Sequence, residues 1–229
     1  MARALVAAIV VGLLAGCGGD GASSSDVRVY WLRDGKVWPT ARQVEGDSVE
    51  AEALTALFDG PNADEQGLGL TSAIPGGGPS LTMEGGVARF EPQGEYSTAG
   101  LAQIVYTLTQ FPSIRAVEVD RRYARADFEE QTPLILVESP LPFEEVTSPL
   151  HVTGTANTFE ATFQYELKDS EGKVVDHDFV TATSGTGTRG TFDFTTKPFD
   201  DAGSLVVFEL SAKDGSRINE VEIPLRMSR

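Results

Sequence analysis

The sequence has one cysteine and two histidines among its 229 residues. A single cysteine cannot form an intrachain disulfide, so each domain must be stabilised by a hydrophobic core of its own. Structural zinc sites take four ligands that are mostly cysteine and histidine, and the chain has too few of both. We therefore predict no disulfide and no metal site.

Basic residues are also scarce, with 18 Lys and Arg against 34 Asp and Glu and a net charge of −16. Such a surface repels the phosphates of nucleic acids and the anionic head groups of lipids. Nucleic acid is therefore excluded as a partner, and charge cannot hold the protein on a membrane. The apolar run Ala4–Leu14 has eleven residues, whereas a helix that crosses a bilayer needs about 20.

The N-terminus has the order of an export signal, because the basic residue Arg3 precedes that apolar run. The next residues, Leu14-Ala15-Gly16-Cys17, resemble the lipobox of bacterial lipoproteins, in which the cysteine is acylated and becomes the first residue. We predict a signal peptide over residues 1–16, lipid attachment at Cys17 and a flexible tether over residues 17–25. An ordinary signal peptide that leaves a free thiol is the alternative.

Residues 26–128 have the pattern of an α+β domain with the order β-β-α-β-β-α-β. The predicted strands are Val27–Trp31, Val37–Val44, Ser80–Met83, Val87–Glu91 and Ile114–Val119. The first helix is predicted to begin with Asp47 as N-cap and Glu50 in a capping box, and to end at Gly60-Pro61. The second is predicted to run from Ser97 to Phe111-Pro112. Their apolar stripes are Val49, Ala53, Leu54, Leu57 and Phe58, and Leu101, Ile104, Val105 and Leu108.

Residues 132–229 show no helical period. Phe159, Ala161, Phe163, Tyr165 and Leu167 alternate with polar residues, and so do the apolar residues of three later runs, Phe192–Phe194, Val206–Leu210 and Val221–Met227. About seven short strands separated by turns indicate an all-β, immunoglobulin-like sandwich. The segment Arg121–Pro133 has mixed charge and a proline, and we place the domain boundary there.

Several segments resemble known domains. Glu52–Pro61 (EALTALFDGP), Leu70–Pro75 (LTSAIP) and Leu101–Pro112 (LAQIVYTLTQFP) resemble the GerMN domain of sporulation and spore-germination proteins. Ser148–Leu167 and Phe208–Leu225 look like the immunoglobulin-like domain that follows GerMN in bacterial spore-germination proteins. The resemblance implies contact with other proteins rather than catalysis.

Patterns that suggest chemistry are few. Gly185–Gly190 (GTGTRG) matches the dinucleotide fingerprint G-x-G-x-x-G, but that site needs a following helix and the next residues predict a strand. His151 lies in a strand pattern, and the run Asp176-His177-Asp178 could contact a cation or form a solvated strand face. No G-x-S-x-G elbow is present. We predict no catalytic residue and no cofactor.

An aromatic group near the N-terminal strands, Tyr30, Trp31 and Trp38, could stack on a glycan, although core packing is the preferred interpretation.

These observations favour a non-enzymatic envelope lipoprotein, held extracytoplasmically to the membrane by its lipid, that binds a protein or cell-wall partner. The alternative is a cell-wall-active hydrolase or its accessory subunit, which would need a cleft with convergent acid and base groups. A solute-binding lipoprotein would need two doubly wound lobes, and the all-β second half argues against that class.

The lipid prediction is tested by Cys17→Ser. Because Cys17 is the only cysteine and the acidic surface repels anionic lipid, the variant should remain unprocessed or leave the membrane. Fractionation of cells followed by a high-salt wash measures this. A processed variant that stays with the washed membranes would contradict the lipid account.

Overall fold

The computed structural model describes residues 24–77, 80–91 and 94–228. The predicted signal peptide, Cys17 and most of the predicted tether lie outside the described residues. The tether prediction is wrong at its end, because Ser24 and Ser25 belong to the first strand, where they pair with Glu45 and Val44. Pairing of their backbone groups along a long ribbon explains why small polar residues adopt strand conformation.

The first domain contains the seven predicted elements, five strands and two helices, in the predicted order. It has one further helix and one further strand. Its elements are β1 (Ser24–Arg33), β2 (Lys36–Glu45), α1 (Val49–Asp59), α2 (Ala63–Gly67), β3 (Leu81–Glu84), β4 (Val87–Phe90), α3 (Thr98–Leu108), β5 (Ala116–Glu118) and β6 (Arg122–Tyr123). Strands β1 and β2 form an antiparallel ribbon, and a separate sheet has the order β3-β4-β5-β6. Helices α1 and α3 pack on the ribbon and on each other. The α+β class is confirmed, while α2 and β6 were not predicted.

The helix ends follow the capping signals with two corrections. Helix α3 ends at Leu108 with Thr109 as C-cap, not at Phe111, because the Phe111 amide donates to the carbonyl of Leu108 in a tighter turn. The N-cap of α1 is Ser48 rather than Asp47, because the Ser48 hydroxyl accepts a hydrogen bond from the amide of Ala51 at 3.3 Å. Gly60 ends α1 as predicted, with a φ of 85°. Ser97 caps α3, where its hydroxyl accepts from the amide of Gly100 at 3.2 Å.

The second domain is a sandwich of two antiparallel sheets, as predicted. Its strands are β7 (Ile135–Ser139), β8 (Glu145–Val146), β9 (His151–Ala156), β10 (Thr162–Lys168), β11 (Val174–Thr181), β12 (Gly190–Thr195), β13 (Ser204–Leu210), β14 (Arg217–Pro224) and β15 (Arg226–Met227). A sheet of order β11-β10-β13-β14 faces a sheet of order β12-β9-β7, and β15 pairs with β8. Aromatic rings join the two sheets, with ring centroids 4.9 Å apart for Phe163 and Phe192 and 4.7 Å apart for Tyr165 and Phe194.

The predicted alternation is wrong at the start of β10. Glu160 and Ala161 have positive φ angles of 53° and 59°, so the chain makes a short 3-10 turn instead of continuing the strand. The strand therefore begins at Thr162, and Phe159 lies on the surface instead of in the core.

The segment between the domains, Arg121–Pro133, is folded, and we call it the linker. Strand β6 pairs with β5, and a kinked 3-10 helix runs over Arg125–Gln131. Phe128 of this helix is buried and packs against Tyr123, with ring centroids 5.7 Å apart. Buried side chains of both domains belong to one continuous hydrophobic cluster. The position of the boundary within Arg121–Pro133 stays a prediction.

Among the helices of the described residues, none is both long enough and apolar enough to span a bilayer.

The sandwich core can be tested with two phenylalanines on adjacent, paired strands. Phe163 is 2% exposed and Phe179 is 70% exposed. We expect Phe163→Ala to lower the free energy of unfolding by about 3–5 kcal/mol, because the change empties a core site. The matched control Phe179→Ala should change stability by less than about 1 kcal/mol. Urea unfolding measures both, and equal losses would contradict this assignment of the sheet faces.

Candidate functional site: the groove between the domains

A groove of about 790 Å³ lies where the two domains meet, and we call it the seam groove. Its walls come from four segments of the chain, and the residues used below are Arg33, Asp34, Lys36, Trp38, Glu129, Glu130, Leu134, Asn157, Glu220 and Glu222. A second depression of about 410 Å³ shares Arg33, Trp38 and Glu222 with it and extends toward Leu68 and Pro142. The two depressions therefore form one elongated surface, which suits an extended ligand.

The tight turn between β1 and β2 lines one side of the groove. Asp34 and Gly35 both have positive φ angles, of 51° and 75°, and they bring Arg33 back over β2. The Arg33 guanidinium carbon lies 4.7 Å from the ring centroid of Trp38, a cation–π distance. The face of the Trp38 ring is thus covered by an arginine.

The linker wall of the groove is held by Arg189. Its guanidinium donates to both carboxylate oxygens of Glu129 at 2.9 Å, and to the carbonyl of Pro133 at 2.9 Å. Asn157 also donates to Glu129, at 2.8 Å. Arg189 holds the pKa of the Glu129 carboxyl below its usual range, and this effect exceeds the opposing one of burial.

Arg189 belongs to the glycine-rich run Gly185–Gly190, so this run holds the linker. A Cβ on Gly185 would lie 2.5 Å from the Cα of Ala161, and one on Gly190 would lie 2.2 Å from the amide nitrogen of Ser184. These glycines therefore allow close approach of backbone to backbone. Strand β12 follows directly, as the sequence predicts, rather than a helix.

Glu138 of β7 joins the two domains. Its Oε1 accepts from the hydroxyl of Tyr30 on β1 and, at 2.8 Å, from Arg125 of the linker. Arg125 also donates to Thr109, the C-cap of α3, at 2.8 Å, and its guanidinium carbon lies 4.6 Å from the ring centroid of Tyr106 on α3. One ion pair thus connects β1, α3, the linker and β7, and we call these side chains the Glu138 cluster.

Burial and charge set the pKa values in this cluster. Burial alone would raise the pKa of Glu138, but the Arg125 charge and the Tyr30 hydrogen bond outweigh it and hold that pKa below its usual value. Burial and the neighbouring Glu138 carboxylate both raise the pKa of Tyr30. At neutral pH Glu138 is therefore ionised and Tyr30 is a hydrogen-bond donor.

Comparison with known proteins agrees with the two domains. The family model described as "Sporulation and spore germination" matches residues 28–121, and the one described as "Immunoglobulin-like domain of bacterial spore germination" matches residues 134–216. The chain therefore has a GerMN-type domain followed by an immunoglobulin-like domain of the kind found in bacterial spore-germination proteins. No curated protein matches it significantly. A solved structure, the tandem GerMN domains of the sporulation protein GerM from Bacillus subtilis, is 16% identical over 78% of this chain, with a TM-score of 0.34. The match covers 62% of that structure's chain.

The GerMN domain contains a buried carboxylate of its own, Glu65 of α2. It accepts from Trp31 at 2.9 Å, from Thr40 at 2.6 Å and from the amide of Asn62 at 2.7 Å. The guanidinium of Arg42 also pairs with it, and together these donors outweigh burial and lower the pKa of Glu65. This network ties α2 to the ribbon that carries Trp38.

The two histidines do not converge. His151 on β9 is exposed and lies 2.8 Å from the carboxylate of Asp193. His177 is exposed on β11, whereas Asp176 points inward and accepts from Tyr165 at 2.7 Å and from Lys197 at 3.0 Å. The expectation that Asp176-His177-Asp178 forms one solvated face is therefore wrong, because successive residues of a strand face opposite sides. The described residues contain no group of three metal-binding side chains.

The N-terminal aromatics are part of the core. Tyr30 and Trp31 are fully buried and Trp38 nearly so, which excludes their use as an open glycan-stacking platform and supports the core-packing interpretation.

Sequence patterns did not identify three residues that position the groove, namely Glu65, Glu138 and Arg189. Two of these residues have a local sequence pattern that could have identified them. Asn62 and Glu65 have capping-box spacing, and Glu138 is a lone acid after the apolar run Ile135–Val137. Arg189 had none, because its partner Glu129 lies 60 residues away.

The Glu138 cluster can be tested by Glu138→Gln. Removal of this charge leaves Arg125 half-buried without its partner, and we expect a loss of about 3 kcal/mol in the free energy of unfolding. Because the folded-state pKa of Glu138 is lowered, its contribution is present above the unfolded value of about 4.3 and is lost as the pH falls below it.

The wild type should therefore lose stability between about pH 5 and pH 3, and the variant should lose less over that range. Denaturant unfolding at several pH values measures both slopes. Glu171→Gln, in an exposed turn, is the control and should match the wild type. Identical slopes for all three proteins would contradict the role given to Glu138.

Proposed function

We propose that this GerMN protein is a non-catalytic, lipid-anchored envelope module that holds a protein partner in its seam groove during sporulation or spore germination. The observation that carries the proposal is that both domains build the groove and the Glu138 cluster couples them. A groove whose walls cannot move apart is preorganised, so a partner meets a shape that costs little to order.

The charges of the groove support a protein partner over a cell-wall polymer. Its lining carries the carboxylates of Asp34, Glu129, Glu130, Glu220 and Glu222. Against these stand Arg33 and Lys36 in the lining, together with Arg189 and Arg217 outside it, which pair with Glu129 and Glu220 and leave an excess of one acid. The excess of acid favours a segment rich in lysine or arginine and repels polyanionic wall polymers.

The state of the carboxyl groups supports a holding role rather than hydrolysis. A general acid that works near neutral pH needs a raised pKa. In the described part of the chain, every carboxyl group whose pKa departs from its usual value is shifted downward. These groups are Glu65, Glu118, Asp120, Glu129, Glu138, Asp176, Asp201 and Asp214.

Two further supports come from the sequence. The lipobox-like Leu14–Cys17 supports attachment to the outer side of a membrane by lipid. The family descriptions of both domains support a role in sporulation or germination. Lipid attachment would place the seam groove within reach of other envelope proteins.

The partner is tested by photo-crosslinking in the native cells. A photoreactive phenylalanine analogue replaces Leu134, which is exposed on the wall of the groove, or Met83, which is exposed on β3 of the GerMN domain and serves as control. We expect position 134 to form an adduct with a membrane-associated polypeptide and position 83 to form none. Arg33→Glu and Lys36→Glu should strengthen the adduct, because they add acid to a surface that selects a basic segment.

Three outcomes would overturn the proposal: adducts at neither position, equal adducts at both, or an adduct that is digested by a peptidoglycan hydrolase. A turbidity assay on purified cell walls tests the hydrolase alternative. Clearing that depends on protein concentration and is lost on Glu130→Gln, Glu222→Gln or His177→Ala would show an enzyme.

A further inference from the structure

The stack of Arg33 on Trp38 lies where the seam groove meets the second depression. Three residues line both of these spaces, namely Arg33, Trp38 and Glu222. Arg33 pairs with Lys36 across the ribbon and Trp38 lies two residues further along β2, so both side chains project from the same face of the ribbon. With Arg33 over its ring, Trp38 is only 8% exposed. The aromatic ring at the centre of the elongated surface is thus covered by a side chain of its own hairpin.

A second stack of arginine on tryptophan, on the same ribbon, differs from the first in one respect. The Arg42 guanidinium carbon lies 5.3 Å from the ring centroid of Trp31, and the guanidinium also donates to both carboxylate oxygens of Glu65. Among the residues that the structure describes, Arg33 has no such partner, neither an ion pair nor a hydrogen-bond acceptor for its guanidinium. Only the ring of Trp38 holds it. An exposed cation–π contact is weak, so Arg33 can leave the ring at little cost.

The position of the Trp38 ring does not depend on Arg33. The ring lines a small apolar cavity together with residues of both domains, which include Pro39, Ile135, Val221 and Ile223. Close packing of this kind fixes the orientation of a side chain. The departure of Arg33 would therefore leave the ring in place and open one aromatic face toward the seam groove.

The charges beside the ring indicate what this face binds. Glu222 and Asp34 are exposed and line the groove, and in the described part of the chain neither carboxylate has an ion-pair partner. Glu222 accepts from the Ser204 hydroxyl at 2.8 Å. An aromatic face next to free carboxylates is suited to a guanidinium, which lies flat on the ring, and less to an ammonium, which is a strongly hydrated point charge. The guanidinium of Arg33 already occupies this face.

We propose that the face of Trp38 and the carboxylate of Glu222 form an arginine-binding site, which Arg33 occupies until an arginine of the partner replaces it. This inference rests on the proposed function and names the partner residue that the seam groove recognises. The exchange conserves the stack on the ring and adds an ion pair with Glu222. A segment without arginine gains less from the exchange, so the cover makes the groove selective.

The site is tested with two peptides of equal charge, one of seven arginines and one of seven lysines. The chain has two tryptophans, so its nitrogen-15 NMR spectrum contains two indole N–H signals, which Trp38→Phe assigns. We expect the arginine peptide to shift the Trp38 signal and to leave the signal of the buried Trp31 unchanged. It should bind the purified chain at least about fivefold more tightly than the lysine peptide, because only a guanidinium stacks on the ring.

Variants separate the cover from net charge. Arg33→Ala opens the site and should strengthen binding of the arginine peptide about tenfold, the gain expected if Arg33 covers the ring about nine-tenths of the time. Arg226→Ala is the matched control, because Arg226 is an exposed arginine that stacks on Phe143 and lines neither depression. It removes the same charge and should change binding less than about twofold. Glu222→Gln should weaken binding at least about fivefold.

The inference is overturned by any of three results: equal gains for Arg33→Ala and Arg226→Ala, equal affinities of the wild type for the two peptides, or a Trp38 signal that neither peptide moves. An adduct at position 134 whose crosslinked partner segment lacks arginine would also overturn it and leave the proposed function standing. Arginine binding at Trp38 without an adduct at position 134 would remove the proposed function alone.

Discussion

The arrangement of this protein depends on one carboxylate that is largely withdrawn from water between two domains. The Glu138 side chain keeps 14% of its surface exposed and that of Arg125 keeps 27%, so each charge needs the other to offset the loss of hydration. The pair also needs Tyr30, whose hydroxyl completes the hydrogen bonding of Glu138. Since these groups come from β7, the linker and β1, their pairing is satisfied in only one relative orientation of the domains. The shape of the seam groove follows from that orientation.

A similar arrangement recurs at three other carboxylates. Glu65, Glu129 and Asp176 are each held by several donors from elements distant in sequence. In each case the donors lower the pKa, so the group stays ionised and fixed in place. Groups of this kind position neighbouring elements and are poorly suited to give or accept protons. This organisation supports the holding role that we propose for the protein.

The glycine-rich run Gly185–Gly190 supports two other parts of the molecule. Through Arg189 it holds the linker wall of the seam groove, and through Thr186 it supports the turn that exposes Phe159. The run matches a nucleotide fingerprint in letters, but it lies between antiparallel strands and its glycines serve backbone packing. The GerMN and immunoglobulin-like domains are thus joined by the contacts of the linker and of the Glu138 cluster.

The sequence by itself determined the features that depend on neighbours along the chain. The caps at Ser97 and Gly60, the order of strands and helices and the inward face of Phe163 all follow from local spacing. What only the tertiary structure decided depends on long-range pairing. Glu138 meets Tyr30, which lies 108 residues away, and Arg189 meets Glu129, which lies 60 residues away. The turn at Glu160 and Ala161 broke a regular alternation because contacts from Glu209 and Thr186 outweighed the local preference for a strand. A local sequence pattern does not indicate such distant partners, so the groove and the turn that exposes Phe159 are decided only when the chain is folded.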